Sequence, residues 1–250
     1  HAKNPELTEE ELDEVDGRIS RLLNIRNKQV GAIELSALLS IETVTEIFIR
    51  INRTGTKLNN ADFAMSKIAV HEEVAGDEFG ANLRKFIDYF CEFAVNPQRY
   101  KTIQQNDISF ANYKDYMQKL SWLARDTDDL YDPSYKDMLQ VISLTQFSRG
   151  KLADLVALLS GRNFETREFE DEIVHRSFQK LEAGVYEFVN ENQFKHFVQD
   201  ILRSACFNER SQLTAQNAIN YAYAMYLRLF QIGEDRETIN RNIRKLFVLS

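Results

Sequence analysis

Glycine and proline are scarce in this sequence, which has nine glycines and three prolines in 250 residues. Tight hairpins usually contain Gly, Asn or Pro, so the scarcity argues against a protein built of many short strands. It favours long helices instead. Only Gln29 to Leu35, which carries Val30, Ile33 and Leu35, has the pattern of a short strand. We therefore predict a mainly α protein, a multi-helix bundle-like array with at most one short N-terminal strand.

Cysteine and histidine are also few. The two cysteines are far apart in sequence and neither belongs to a CxxC pair, which excludes a metal knuckle and argues against a structural disulfide. The four histidines are scattered without the spacing of metal ligands. We expect no metal site from these residues, which are Cys91, Cys206, His1, His71, His175 and His196.

The sequence has no apolar run of membrane-spanning length and no signal-like start. Its net charge of −7 argues against a generally basic, nucleic-acid-coating surface, although a local basic groove is compatible with it. These features predict a soluble cytoplasmic chain without a membrane partner.

The predicted helices fill most of the chain. Thr8 and Glu11 form a capping box for a helix that runs to about Arg26. The stretch from 96 to 110, with Pro97 and several amides, predicts a loop or linker between an N-terminal helical part, 1–95, and a C-terminal helical domain, 111–250. Later helices are expected at 78–95, 113–124, 133–148, 151–159, 167–190, 193–205, 213–231 and 236–249.

The most informative stretch has the form I-F-x-R-I-N-x-x-G-x-x-L and runs from Ile47 to Leu58. With Val44, its apolar residues fall on one face of a helix, and Gly55 stands where a left-handed residue could end that helix. Asn59 or Asn60 can then cap a second helix, from Asp62 to about Glu73. A helix, a glycine turn and a capped helix explain the spacing without any function.

As a whole phrase, this stretch resembles the domain-of-unknown-function family numbered two hundred and sixty-two. That family includes the GmrSD-type modification-dependent restriction enzymes and related phage-defence proteins. Four further stretches are similar to the family in the same order, and together they cover most of the chain: 27–35, 158–167, 216–223 and 243–250.

The resemblance implies that the catalytic residues lie outside this chain. The family's nucleotide hydrolysis is placed in an upstream ParB/sulfiredoxin-like domain with a D-G-Q-Q-R motif, of which Asp16-Gly17-Arg18 is only a superficial echo. The chain begins with His1 rather than methionine and ends at Ser250 within a segment of the family pattern. We therefore expect an excised middle piece that is catalytically silent, holds no cofactor and has no catalytic residue.

In the parent, the resemblance implies a nucleoside triphosphate with magnesium as cofactor, and the missing upstream domain and DNA as partners. Two guanidiniums, an amide and a helix N-terminus can together hold a phosphate, so the phrase supplies one wall of the nucleotide pocket. The nucleotide- or phosphate-binding residues expected are Arg50, Asn52, Arg53, Gly55, Thr56 and Lys57. Solvation of Arg53 and Lys57 is the alternative.

A second candidate contact lies just after Gly161, the glycine at which a predicted helix ends. Arg162 and Arg167 could contact DNA or the neighbouring domain, although glycine capping explains the form of this stretch equally well. The acidic residues 168–172 favour the N-terminus of the next helix rather than a metal site. The many aromatic residues at helical spacing predict a core more than a surface that stacks bases.

Two hypotheses remain open. In one, the chain is the helical scaffold of a nucleotide-dependent, modification-sensing restriction or phage-defence enzyme. In the other, it is a non-catalytic interaction or nucleic-acid-docking module in which the phrase around Asn52 only packs helices. Loss of nucleotide hydrolysis in the full-length protein on Asn52→Ala would distinguish them.

Overall fold

The fold was analysed in a computed structural model, which describes residues 8–28, 34–36, 39, 43, 44, 47, 59–75, 80–107, 118–126, 130–205, 207, 209, 212 and 215–249. Within these ranges the protein is all α and has no strand, which confirms the predicted fold class. Contacts divide the chain into two compact units, His1–Lys57 and Leu58–Ser250. None of the helices in the described ranges has the length and apolar character needed to cross a bilayer.

The first unit contains α1, Glu9–Asn24, which continues into a 3₁₀ turn at Ile25–Asn27, and its described residues Thr43, Val44 and Ile47 are helical as well. Thr8 and Glu11 form the predicted capping box: Thr8 N donates to Glu11 Oε2 over 2.8 Å and Glu11 N donates to Thr8 Oγ1 over 3.3 Å. These bonds satisfy two backbone donors that a helix start leaves without partners. The helix therefore begins where the sequence predicts.

The second unit contains nine α-helices among its described residues, together with three shorter helical segments. The α-helices are α2, Asn60–Ala75; α3, Gly80–Val95; α4, Arg99–Asn106; α5, Tyr135–Phe147; α6, Leu152–Leu159; α7, Asp171–Phe188; α8, Glu191–Lys195; α9, Gln216–Gln231; and α10, Arg236–Leu249. The segments are 3₁₀ helices at Gln118–Arg125 and Arg203–Ala205 and a π-helix at His196–Leu202.

Helix α5 lies at the centre of this unit and packs against α2, α3, α6, α7 and α9. Ser134 caps its start in a second capping box, with Asp137 as the reciprocal partner. Because α5 is surrounded on several sides, three of its polar residues are buried together with four apolar ones. Its buried residues are Asp137, Met138, Leu139, Val141, Ile142, Ser143 and Thr145.

Helix α7 crosses α5 at a glycine. A Cβ atom built on Gly184 would lie 2.7 Å from Ile142 Cγ2 and 2.8 Å from Gln146 Cγ, closer than real Cβ contacts. The absent side chain is therefore what allows the two helices to approach. Glycine here serves packing rather than a turn.

Aromatic side chains fill the space between α3, α7, the α8 region and α9. Phe188 lies edge-on to Tyr223 with ring centroids 5.0 Å apart, and Phe90 lies edge-on to Phe194 at 5.7 Å. Such arrangements add to the stabilisation from buried area. Most of the predicted aromatic core is confirmed, but Tyr221 and Phe230 are exposed.

The stretch predicted as a loop from 96 to 110 instead contains helix α4, since residues 99–106 are helical. Tyr100 anchors this helix, because its ring is buried and lies 5.1 Å from that of Phe93. Pro97 stands just before α4, where a missing N–H costs little. The second unit runs through this segment, and the boundary that the contacts indicate lies between residues 57 and 58.

Two other expectations differ from the structure. The helix predicted at 113–124 is a 3₁₀ helix in its described part, Gln118–Arg125, and the one predicted at 193–205 is broken into α, π and 3₁₀ parts. Of the strand predicted at 29–35, only Glu34 and Leu35 are described, and neither is in a strand. The rest of that prediction lies outside the described residues.

Candidate functional site

The predicted phosphate-binding residues, Arg50, Asn52, Arg53, Gly55, Thr56 and Lys57, all lie outside the described residues. Their role stays a prediction. The structure does describe the point at which the chain leaves this phrase and enters α2, and it describes the second predicted contact, at Arg162 and Arg167.

Asn59 is the cap of α2, one of the two residues that the sequence allowed. Its Oδ1 accepts hydrogen bonds from Ala61 N at 2.8 Å and Asp62 N at 3.1 Å, and Asn59 N donates to Asp62 Oδ2 at 3.0 Å. The other carboxylate oxygen, Asp62 Oδ1, accepts a 2.6 Å bond from the Tyr135 hydroxyl on α5. The first turn of α2 is thus fixed to the central helix.

The bond to Asp62 also acts on Tyr135. It raises the pKa of the Tyr135 hydroxyl, and desolvation adds to this effect. The hydroxyl therefore stays protonated and remains a donor at neutral pH. A sequence pattern could not reveal this pair, because its members are far apart along the chain.

A buried polar network lies at the start of α5. Asp137 Oδ2 accepts from Ser134 N at 2.9 Å, while Asp137 Oδ1 accepts from Asn220 Nδ2 at 2.7 Å. Asn220 Oδ1 in turn accepts from the Tyr131 hydroxyl at 3.0 Å. Because these polar atoms satisfy one another, the network acts as a structural link between α5 and α9.

Cys91 lies near this network and is free. Burial raises the pKa of its thiol, and the carboxylates of Asp88 and Asp137 act in the same direction. A thiol held protonated is a poor nucleophile and a poor metal ligand. Cys91 is therefore a packing residue, whereas Cys206 lies outside the described residues.

The turn between α6 and α7 brings Arg162 and Arg167 into one ordered loop. Gly161 has φ +90°, and Glu170 N donates to Gly161 O over 2.9 Å, while Asn163 N donates to Glu168 O over 2.8 Å. A Cβ atom on Gly161 would lie 2.9 Å from Glu170 O, so glycine is required by both conformation and space.

Asn163 stabilises this turn from inside. Its Oδ1 accepts from Glu165 N and Thr166 N, and its Nδ2 donates to Glu170 Oε1 at 2.7 Å. Arg167 adopts a left-handed conformation, with φ +65°. The loop is therefore held by its own hydrogen bonds, so its exposed side chains project from a fixed backbone.

Two arginine–aromatic pairs involve phenylalanines of this turn. The Arg149 guanidinium lies 4.4 Å from the Phe164 ring centroid, and that of Arg162 lies 5.2 Å from the Phe169 centroid. Both phenylalanines are exposed, Phe164 at 39% and Phe169 at 59%. The sequence analysis identified Arg162 but missed Arg149, which lies on the other side of α6 in sequence.

This combination is suited to contact with nucleic acid, because guanidiniums bind phosphates and exposed rings stack on unpaired bases. Stabilisation of the turn by cation–π contact explains the same pairs. Acidic residues border the loop, including Glu165 and Glu168, so the local charge is mixed rather than basic. The turn is therefore a candidate contact for an exposed base or phosphate, not a general basic surface.

His196 is buried at the start of the π-helix. Its Nδ1 lies 3.0 Å from the Tyr226 hydroxyl and its Nε2 lies 3.6 Å from Asp200 Oδ2. Burial lowers the pKa of His196, an effect that Asp200 opposes and Arg236 reinforces. The ring is thus neutral at physiological pH.

The described residues contain no group of three or more metal-ligating side chains.

A surface groove of about 550 Å³ runs along α10 and is lined by Glu237, Asn240, Arg241 and Arg244. Arg244 Nη2 donates to Asp200 O over 3.1 Å. Asn240 Oδ1 and Arg244 Nε are buried and make no hydrogen bond among the described residues.

Comparison with known proteins gives no match: no family model, no curated protein and no solved structure matches this chain. The fold and the candidate sites therefore carry the functional argument, together with the residues of the phrase from Ile47 to Leu58.

Proposed function

We propose that the chain is the helical scaffold of a nucleotide-dependent, modification-sensing restriction or phage-defence enzyme of the GmrSD type. In this proposal it supplies one wall of a nucleotide or DNA site, through Arg50, Asn52, Arg53, Gly55, Thr56 and Lys57. The catalytic groups belong to an upstream domain with the D-G-Q-Q-R motif. The chain by itself then binds without hydrolysing.

One observation carries the proposal. The phrase leads directly into Asn59, and the Asn59–Asp62 cap is bonded to Tyr135 on the central helix α5. A binding wall is useful only if it is held rigidly, since catalysis depends on groups placed within fractions of an ångström. The cap holds Asn59, the residue that follows the phrase, at the start of α2.

The second candidate function is a nucleic-acid-docking module without a nucleotide site. The arginine–aromatic pairs on the turn between α6 and α7 favour it, because Phe164 and Phe169 are exposed beside Arg149 and Arg162. The two candidates are compatible in a single protein, but they make different demands on Asn52.

The experiment measures hydrolysis of nucleoside triphosphates with magnesium by this chain and by the natural protein extended upstream through any D-G-Q-Q-R motif. We expect activity only in the longer protein, and a loss of about tenfold or more on Asn52→Ala. The matched control is Asn242→Ala, because Asn242 is exposed on α10, far along the chain from the phrase. Circular dichroism verifies that both variants are folded.

Each result has a clear meaning. Hydrolysis by this chain alone would contradict the scaffold proposal, and so would unchanged hydrolysis in a folded Asn52→Ala protein. Unchanged hydrolysis together with DNA binding that falls on Arg162→Ala would favour the docking module. Fluorescence anisotropy with single-stranded and duplex DNA at two salt concentrations provides that second readout.

A further inference from the structure

Helix α1 of the first unit has an apolar face that is open to solvent. Val15 is 43% exposed, Ile19 48% and Leu22 67%. Together with Leu12, these residues form one stripe along the helix. Their spacing along the chain is three, four and three residues, which is the seam of a two-helix coiled coil. A single exposed leucine needs no explanation, but a continuous stripe on one helix indicates a partner.

Charge along the same helix is segregated by sign. From Glu9 to Asp16 there are six acidic residues and no basic one, whereas from Gly17 to Lys28 there are four basic residues and no acidic one. The helix dipole favours acids in the first turn and bases in the last turn only. It does not account for Asp13 and Asp16 in the middle of α1, whereas Glu14 is paired with Arg18 of the same helix over 2.6 Å.

A second copy of α1 in antiparallel orientation fits this distribution. The acidic half of one helix then lies beside the basic half of the other, at both ends of the pair. The same surface serves both copies, as a two-fold symmetric interface requires. A parallel pair would instead place like charges together.

We propose that two copies of this chain pair through α1 in antiparallel orientation, with the stripe of Leu12, Val15, Ile19 and Leu22 as the seam. At 1.5 Å per residue, the sixteen residues of α1 span about 24 Å. Stable coiled coils usually extend over three or more heptads. The dimer is therefore weak, with a dissociation constant in the micromolar range, and depends on protein concentration.

The test is sedimentation velocity of the 250-residue chain over a range of micromolar concentrations. We expect a reversible monomer–dimer equilibrium in the unchanged protein. Ile19→Ala with Leu22→Ala removes the seam while introducing the best helix-forming residue, so loss of the dimer could not come from loss of the helix. We expect dimerisation at least about tenfold weaker in this variant. Ser20→Ala, at an exposed position of α1, is the control and should leave dimerisation unchanged.

Orientation is tested by a charge exchange. One variant carries Arg26→Glu, at the position that continues the stripe one step beyond Leu22, and the other carries Glu9→Lys, which flanks the stripe at the opposite end of the helix. Each alone places like charges together in the antiparallel pair and should be monomeric at concentrations where the unchanged chain is dimeric. An equimolar mixture restores opposite charges at both ends, so we expect dimers to return as the mixed species.

A monomer throughout the concentration range would overturn the proposal and assign the stripe to a different partner. A dimer that persists in the seam variant would place the interface elsewhere. Failure of the mixture to restore dimers would overturn the antiparallel arrangement.

Discussion

Asn220 Nδ2 donates a 2.7 Å hydrogen bond to Asp137 Oδ1, so that an amide on α9 holds the first turn of the central helix α5. Both residues are buried, Asn220 almost completely. The amide also accepts from Tyr131, so Asn220 links a residue on each side of it. Its loss leaves Asp137 Oδ1 and the Tyr131 hydroxyl without the bond that Asn220 provides.

We expect Asn220→Ala to lower the free energy of unfolding by about 2–4 kcal/mol, because Asp137 Oδ1 and the Tyr131 hydroxyl each lose a hydrogen bond in the core. Urea unfolding followed by circular dichroism measures the change. Asn242→Ala is the matched control, since it makes the same substitution at an exposed position of α10 and should cost less than about 0.5 kcal/mol. Equal effects of the two substitutions would contradict the structural role of the network.

Replacing glycine by alanine should destabilise the packing of α7 but stabilise helix α1. Gly184→Ala forces a Cβ atom against Ile142 and should destabilise the second unit by about 1–3 kcal/mol. Gly17→Ala meets nothing within 4 Å and replaces glycine inside a helix, so it should increase the helicity of α1. Thermal unfolding reports the first effect and far-ultraviolet circular dichroism the second. A neutral Gly184→Ala would show that α7 and α5 do not approach as closely as described.

Removing the hydroxyl that holds α2 should lower the free energy of unfolding only modestly. Tyr135→Phe removes the bond to Asp62 but leaves the partly exposed carboxylate able to bind water, so we expect a loss of about 1 kcal/mol. Tyr221→Phe, at an exposed position of α9, should leave stability unchanged. Hydrogen exchange at the first turn of α2 should increase in Tyr135→Phe alone. Identical exchange in both variants would remove the anchor on which the proposed function depends.

Buried His196 should make stability depend on pH. Its folded-state pKa lies below the unfolded value, so the unfolded chain binds more protons as the pH falls. The contribution of the neutral ring is therefore complete above the unfolded pKa of about 6.5 and is lost as the pH decreases through the lower folded pKa. Unfolding experiments between pH 8 and pH 5 should show a shallower decrease for His196→Gln. The control is His175→Gln, because His175 is exposed on α7.

The sequence predicted those elements whose signals are local. The cap at Thr8, the cap at Asn59, the glycine turn at Gly161 and the extent of α10 each depend on residues within a few positions of one another. Helix α4 was predicted as a loop because Pro97 and its neighbouring amides dominate the local pattern. The packing of Tyr100 against Phe93 is a contact between residues of different helices that the local pattern does not show.

The polar contacts between distant residues could not be predicted. Asp137 and Asn220 are 83 positions apart, and neither stands in a motif that indicates the other. The same holds for Arg149 and Phe164, which meet only because α6 and its glycine turn bring the chain back. The residues of the candidate nucleotide site are assigned from the sequence, and the structure describes the residues that follow the phrase, where Asn59 and Asp62 bond to each other and Asp62 to Tyr135.

The close crossing of α7 over α5 also has an evolutionary consequence. Because a side chain at position 184 would collide with Ile142, substitutions at these two sites are not independent. Descendants of a common ancestor should retain glycine at 184, or exchange it for alanine only where position 142 carries a smaller residue. Such paired variation would identify distant relatives whose overall sequence similarity has been lost.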